Sequence, residues 1–289
     1  MLTQLAPARR RLVVAVVGLL AVLVLCVAVV VVARRPTPVP DQSTPGPVLL
    51  VPGYGGDQGS LAPLAAVLRA GGRDVTVVGL PDQAQGDLAG QADALGAAVD
   101  AALGRTGASS VDLVGYSAGG IVTRLWVTQN GGASRVRRLV TLGSPHHGTE
   151  VATVGSLVGG TCPMACQQLA TDSPLLARLD RDGIPAGVVF VSLWTTGDDV
   201  VVPPSSSVVD GHPSPSLQSI CPGVRVNHGG LPGNPLAQTL VDAALGAGTV
   251  PTWSPADCAR LTSSAETRSQ LVTSRVTKLA QAAVSSTTR

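Results

Sequence analysis

Aromatic side chains are nearly missing from this sequence: one phenylalanine, two tyrosines and three tryptophans in 289 residues. A core of any size must therefore be filled by Val, Leu and Ala. No basic run with interleaved aromatics exists to bind nucleic-acid bases and backbone. Charge is scarce as well. Asp, Glu, Lys and Arg together make up 13% of the chain, about half the usual share. The net balance of +2 is too small and too scattered to attract a polyanion, which excludes a nucleic-acid partner. Cysteine is limited to five residues. The spacing Cys162-x3-Cys166 comes near a zinc-ligand pair, but no second close pair accompanies it, so no metal is expected.

One long apolar run stands out. Residues 12–33 carry no polar side chain and are bracketed by Arg9-Arg10-Arg11 and Arg34-Arg35. A helix needs about 20 residues to cross a hydrocarbon core, whereas the apolar part of a cleaved signal peptide is usually about 7–15 residues. The run predicts an uncleaved signal anchor at residues 12–33, with the N-terminus inside, the membrane as a partner and the catalytic part outside the cell. Secretion after signal cleavage is the alternative. The expected division is a cytoplasmic stub and anchor over 1–35, a proline-rich tether over 36–46, a folded domain over 47–250 and a polar tail over 251–289.

Cys26 falls in the apolar run, leaving Cys162, Cys166, Cys221 and Cys258. An even number in an exported domain reads as two disulfides, with three pairings possible. The expected pairs are Cys162 with Cys166, closing a small loop, and Cys221 with Cys258, pinning the tail.

From residue 47 onward, short continuous apolar runs alternate with segments of helical period. Strands are expected over 48–51, 75–78, 111–114, 139–142, 187–193 and 223–226, with helices over 61–68 and 88–103 and a closing helix from Pro235. This alternation predicts an α/β fold whose mostly parallel central sheet is covered by helices on both faces. Ligands gather at the C-terminal ends of such strands. The glycines at 53, 55 and 56 lack the spacing and the following acidic residue of a dinucleotide site, so no organic cofactor is expected.

At the end of the third expected strand stands Gly115-Tyr116-Ser117-Ala118-Gly119. G-x-S-x-G between a strand and a helix puts the serine on a sharp, strained turn with its hydroxyl clear of the sheet. Gly115 and Gly119 must then let neighbouring backbone pass. The backbone N–H groups at the start of the following helix face any oxyanion formed beside Ser117, and the Tyr54 N–H comes from the loop opposite. Asp198 and Asp199 end the strand over 187–193. His228, between Asn227 and Gly229, follows the run at 223–226. Ser117, Asp198 and His228 thus occur in the chain order of α/β-hydrolase triads. Asp199 competes with Asp198, and His212 is the backup base. His146 and His147 read as loop residues near the site, and the irregular stretch 151–174 as a lid or substrate rim.

Taken together, VPGYGG, GYSAGG, GSPHHGT, GDDVVVPP and NHGG resemble the secreted bacterial triacylglycerol lipases and esterases of the α/β-hydrolase superfamily, the compact Bacillus and Streptomyces types above all. The likeness covers roughly residues 47–247. It implies Ser117 as nucleophile, Asp198 as the acid before a D-x-x-V-x-P stretch, His228 as base, and the N–H groups of Tyr54 and Ala118 as oxyanion donors. It implies a lipid or small-molecule ester as substrate, no cofactor, and a monomer. Where such chains often begin the first loop with His-Gly, this one has Pro52-Gly53. An exported acyltransferase using the same triad, and a non-enzymatic envelope protein on the same scaffold, are the competing functions.

Overall fold

The computed structural model describes residues 7–33, 39–157, 162–268 and 270. It divides into two compact units, residues 1–38 and 39–289. The first holds a single helix, α1 (Pro7–Ala33). The expected membrane anchor over residues 12–33 is corrected here. Among the described residues, no helix is long and apolar enough to cross a membrane. Within the expected span the side chains at 12, 14 and 28–33 lie outside what is described, as do residues 34–38 of the expected tether. With the anchor go the single-pass topology and the membrane as a partner.

In the second unit the elements are β1 (Val48–Val51), α2 (Ala62–Ala70), β2 (Val75–Val77), α3 (Leu88–Thr106), β3 (Val111–Tyr116), α4 (Ala118–Gln129) and β4 (Val136–Leu142). These are followed by α5 (Glu150–Leu157), α6 (Met164–Gln168), α7 (Pro174–Asp182), β5 (Val189–Leu193), α8 (Leu217–Ile220) and α9 (Pro235–Ala244). The five strands form one sheet in the order β2-β1-β3-β4-β5, and every pairing is parallel. The three inner strands β1, β3 and β4 are buried along their whole length because both faces are covered, which is why their runs do not alternate regularly between apolar and polar residues.

Side chains of one strand still sort by face. In β1, Leu49 and Val51 join a core with Leu95, Val99, Ile121 and Leu125 from α3 and α4. Val48 and Leu50 join the opposite core with Leu64 and Leu68 of α2 and Leu240 and Val241 of α9. The few aromatics are spent sparingly: Phe190 and Trp126 sit in the first core, Tyr116 in the second.

Residues 223–226, expected as a last strand, form none; they follow a Pro222-Gly223 turn. Side chains take the place of a ladder partner, with Thr195 Oγ1 donating to Val226 O at 2.8 Å and Gln218 Nε2 to Thr195 Oγ1 at 2.9 Å. The stretch 151–174, expected to be irregular, contains α5 and α6. The polar tail opens with helical residues 258–268, and residues 271–289 lie outside the described residues.

Cys162 is bonded to Cys166 and Cys221 to Cys258. Each pair brings its Cα atoms to within 5.4 Å and 5.1 Å, respectively, the ordinary separation for a bridge.

Candidate active site

The turn from β3 into α4 is built around a strained residue. Ser117 has φ +54° and ψ −128°, a region L-residues avoid and one that costs on the order of 1–3 kcal/mol unless its surroundings enforce it. The enforcement is steric. A Cβ on Gly115 would stand 2.5 Å from Gly120 Cα, and one on Gly119 would stand 2.3 Å from the carbonyl oxygen of Val51. Only glycine lets α4 start this close to β1. Ser117 N donates to Leu142 O at 3.0 Å, tying the turn to the end of β4.

Around Ser117 the structure brings together side chains far apart in sequence. Its Oγ lies 2.9 Å from His228 Nε2, and His228 Nδ1 lies 2.9 Å from Asp198 Oδ2. An ionised carboxylate only accepts, so the Nδ1 hydrogen points to Asp198 and leaves the Nε2 lone pair facing the serine hydroxyl. The other carboxylate oxygen, Oδ1, accepts from the N–H groups of Val200 at 3.0 Å and Val201 at 2.7 Å. Asp198 and His228 are buried, while Ser117 is partly open.

Asp199 does not touch the imidazole ring. It accepts from the His228 backbone N–H at 3.2 Å and from Asn227 Nδ2 at 3.3 Å. The first of these contacts is the largest cause of its lowered pKa. Asp199 therefore fixes the loop that carries the histidine.

The two expected oxyanion donors flank the serine. Ala118 opens α4, where a helix N–H has no intrahelical acceptor. The 53–54 loop passes directly overhead, since a Cβ on Gly53 would stand 2.8 Å from Ser117 Cβ. Tyr54 is 44% exposed. Ile121 and Leu231, close to these residues in sequence, are fully buried in the two cores.

The remaining histidines take other places. His146 is buried, with Nε2 3.0 Å from Thr141 Oγ1 and Nδ1 3.5 Å from Arg124 Nη1. Burial, followed by the charge of Arg124, holds its pKa well below 6.5. His147 bridges Asp180 Oδ2 and Val208 O, at 3.0 and 2.9 Å. His212 packs edge-on against Phe190, 5.4 Å between centroids. None of the three touches Ser117 in the hydrogen bonds that hold them.

Tyr116 is the contributor that the sequence reading did not single out. Its hydroxyl donates to the His228 carbonyl at 3.1 Å, and its ring stacks on the imidazole at 5.1 Å and 29°. Burial first, then the charges of Asp198 and Asp199, raise its pKa, so the hydroxyl keeps its proton. The signal was available: the residue before the nucleophile ends β3, and strand alternation sends it to the face from which the histidine loop descends.

Among the described residues no cluster of His, Cys, Asp and Glu is arranged to hold a metal ion. The arrangement as built can move a proton between a hydroxyl and an imidazole and hold the resulting charge against a carboxylate.

Comparison with known proteins agrees with the fold. A family model described as a PGAP1-like alpha/beta domain matches residues 83–216, less than half of the chain. Among solved structures, lipase B of Aspergillus fumigatus superposes with a TM-score of 0.61 at 23% identity, covering 72% of this chain and 54% of the lipase. A gene product of Listeria innocua superposes with a TM-score of 0.53 at 16% identity, covering 71% of this chain and 96% of its own. This chain thus spans about half the length of the Aspergillus lipase. No curated protein matches the sequence. The chain has the parallel α/β-hydrolase sheet fold; a specific bacterial lipase family, expected from the motifs, is not shown.

Proposed function

We propose that the chain is a serine hydrolase that cleaves carboxylic esters bearing an apolar acyl group, with lipid esters as the substrate class. The observation that carries this reading is the unbroken relay at 2.9 Å from Ser117 Oγ to His228 Nε2 and from Nδ1 to Asp198 Oδ2. In the reaction, His228 takes the hydroxyl proton as Ser117 attacks the ester carbonyl. Asp198 holds the useful tautomer and stabilises the imidazolium. The N–H groups of Tyr54 and Ala118 meet the oxyanion. His228 then protonates the leaving alcohol, and water, activated by the same imidazole, releases the acid and restores the serine.

The substrate class rests on what surrounds the serine. Tyr54, Val151, Val154, Leu157, Met164 and Val200 are exposed, all on connections that leave the C-terminal ends of β1, β4 and β5. Val151, Val154 and Leu157 recur at helical spacing along one side of α5. That much apolar surface beside a nucleophile suits an acyl chain better than a charged peptide. Two disulfides suit an oxidising compartment.

The test is turnover of p-nitrophenyl esters from acetate to palmitate, with covalent labelling of Ser117 by a fluorophosphonate. Hydrolysis that disappears in a folded Ser117→Ala protein is the expected result. An acyltransferase would use the same acyl-enzyme but deliver the acyl group to an added alcohol in preference to water. Product analysis with and without an alcohol acceptor distinguishes the two. A folded protein that neither labels nor turns over would favour a binding role.

A further inference from the structure

At the N-terminal edge of the sheet, about 13 Å along β4 from the serine turn, positive charge is buried in excess. Three guanidinium groups, from Arg73, Arg137 and Arg138, converge near one carboxylate, Asp112. Arg137 grips it with Nε to Oδ1 at 2.9 Å and Nη2 to Oδ2 at 2.7 Å, and Arg73 also bonds Oδ2. These two arginines complete their shells on carbonyls, among them Leu245 O and Gly246 O just beyond α9.

Arg138 has no such share. It is 1% exposed and donates from Nη2 to Gly248 O, while its Nε and Nη1 meet no acceptor among the described residues. Asp112 is taken. Asp41, the other carboxylate that senses Arg137, accepts from Ser43 and Thr44 at 2.8 Å.

A buried cation with two unmet donors is expensive for a fold to keep, and this one borders a cavity. The space is about 510 Å³, and its walls include Phe190, Val188, Pro213 and Val250 beside Arg138, with Gln42 and His212 as polar members. The Gln42 side-chain oxygen is likewise buried without a partner.

We propose that this cavity binds a small monocarboxylate with an apolar tail, its carboxylate on Arg138 and its tail against Phe190 and Val250. The unmet donors demand negative charge, and the walls reject a ligand that is polar throughout, such as phosphate. Both nitrogens are closed to solvent while the pocket is open to it, so they meet the ligand only once the guanidinium head turns into the pocket. The site is separate from Ser117. It does not rest on the proposed hydrolysis, although the acid released by such a reaction belongs to the same chemical class.

The experiment is thermal unfolding of the full Ser117→Ala chain, which cannot turn over ester, titrated with hexanoate, hexanol and sodium chloride at matched ionic strength. The expected result is a saturable rise in Tm with hexanoate alone, about 3–6 °C at ten times its Kd. The rise is absent in Arg138→Met and in Val250→Trp, which fills the cavity and leaves the arginine in place; the second variant serves if the first does not fold. Equal stabilisation by hexanol, by chloride, or of the Val250→Trp protein by hexanoate overturns the proposal. So does no saturable effect of hexanoate at all. Absence of esterase activity in the wild-type chain has no bearing on these outcomes.

Discussion

Replacing Asp198 by asparagine is a sharp test of how the relay is wired, because the backbone dictates which way the new amide faces. Asp198 Oδ1 accepts from two N–H groups, Val200 and Val201. An asparagine must keep its oxygen there, since turning its NH₂ toward two donors would leave both unmet. The NH₂ then falls where Oδ2 was, opposite His228 Nδ1 at about the same separation of 2.9 Å. A donor at that position forces Nδ1 to become the acceptor and moves the ring hydrogen to Nε2, where it points at Ser117 and can no longer accept the hydroxyl proton. The comparable change in a serine protease triad lowers turnover about 10,000-fold, or about 5.4 kcal/mol of barrier. The same loss is expected here in kcat for a p-nitrophenyl ester. Asp199→Asn keeps an acceptor for the His228 N–H on an exposed side chain and should lose no more than about tenfold, the scale of one modest hydrogen bond. Steady-state kinetics on both proteins, with circular dichroism as a check of folding, decides the matter. An Asp198→Asn enzyme within tenfold of wild type, or a larger loss in Asp199→Asn, would refute the tautomer argument and the choice of acid.

Tyr116→Phe removes the hydroxyl that anchors the His228 carbonyl and keeps the stacked ring. It should lower kcat severalfold with little change in KM, whereas an effect confined to Tm would mean that the residue only packs. Breaking the Cys221–Cys258 bridge, which spans 37 positions, should remove up to about 4 kcal/mol by chain entropy, against about 2 for Cys162–Cys166. Urea unfolding of the two double alanine variants measures both, and a mapped peptide joining Cys162 to Cys221 would reverse the pairing. His146 is neutral when folded because its pKa is held well below 6.5, while the unfolded chain protonates it near that pH. The unfolded state then binds the extra proton, so stability is full above about pH 6.5 and falls as pH drops below it, by at most about 1.4 kcal/mol per pH unit. A His146→Gln protein should show a flatter dependence between pH 6.5 and 5 in chemical denaturation. An unchanged slope would assign the acid sensitivity elsewhere.

Much of this could be read from residue order because parallel strands advertise themselves. The runs at Val48, Val111 and Val189 are mostly apolar and lack a regular polar alternation, and Gly115 and Gly119 mark a turn that no other residue could make. What was lost belongs to long-range contact. Residues 223–226 have the composition of a strand, but their carbonyls at Val224 and Val226 are taken by the side chains of Gln218 and Thr195. Ile121 and Leu231 sit close to the site in sequence yet face the cores. Tyr116 carries no motif of its own; its part is set by the descent of the loop that holds His228. The apolar run at 12–33 shows the opposite failure. Hydropathy alone suggested a span, and among the described residues no helix is long and apolar enough to cross a membrane.

The backbone at Ser117 also bears on how such a chain would decay. Its positive φ is tolerated because Gly115, Gly119 and the passing β1 backbone leave no alternative, and the side chain present is the one that chemistry requires. Glycine would adopt φ +54° without the strain, and a relief of about 1–3 kcal/mol exceeds its extra unfolded-state entropy of about 0.5–1 kcal/mol. The most durable sequence for this fold is then one that has given up its nucleophile. In a lineage no longer selected for turnover, replacement of Ser117 by glycine would be favoured by stability itself, and the surrounding glycines would outlive the function that explains them.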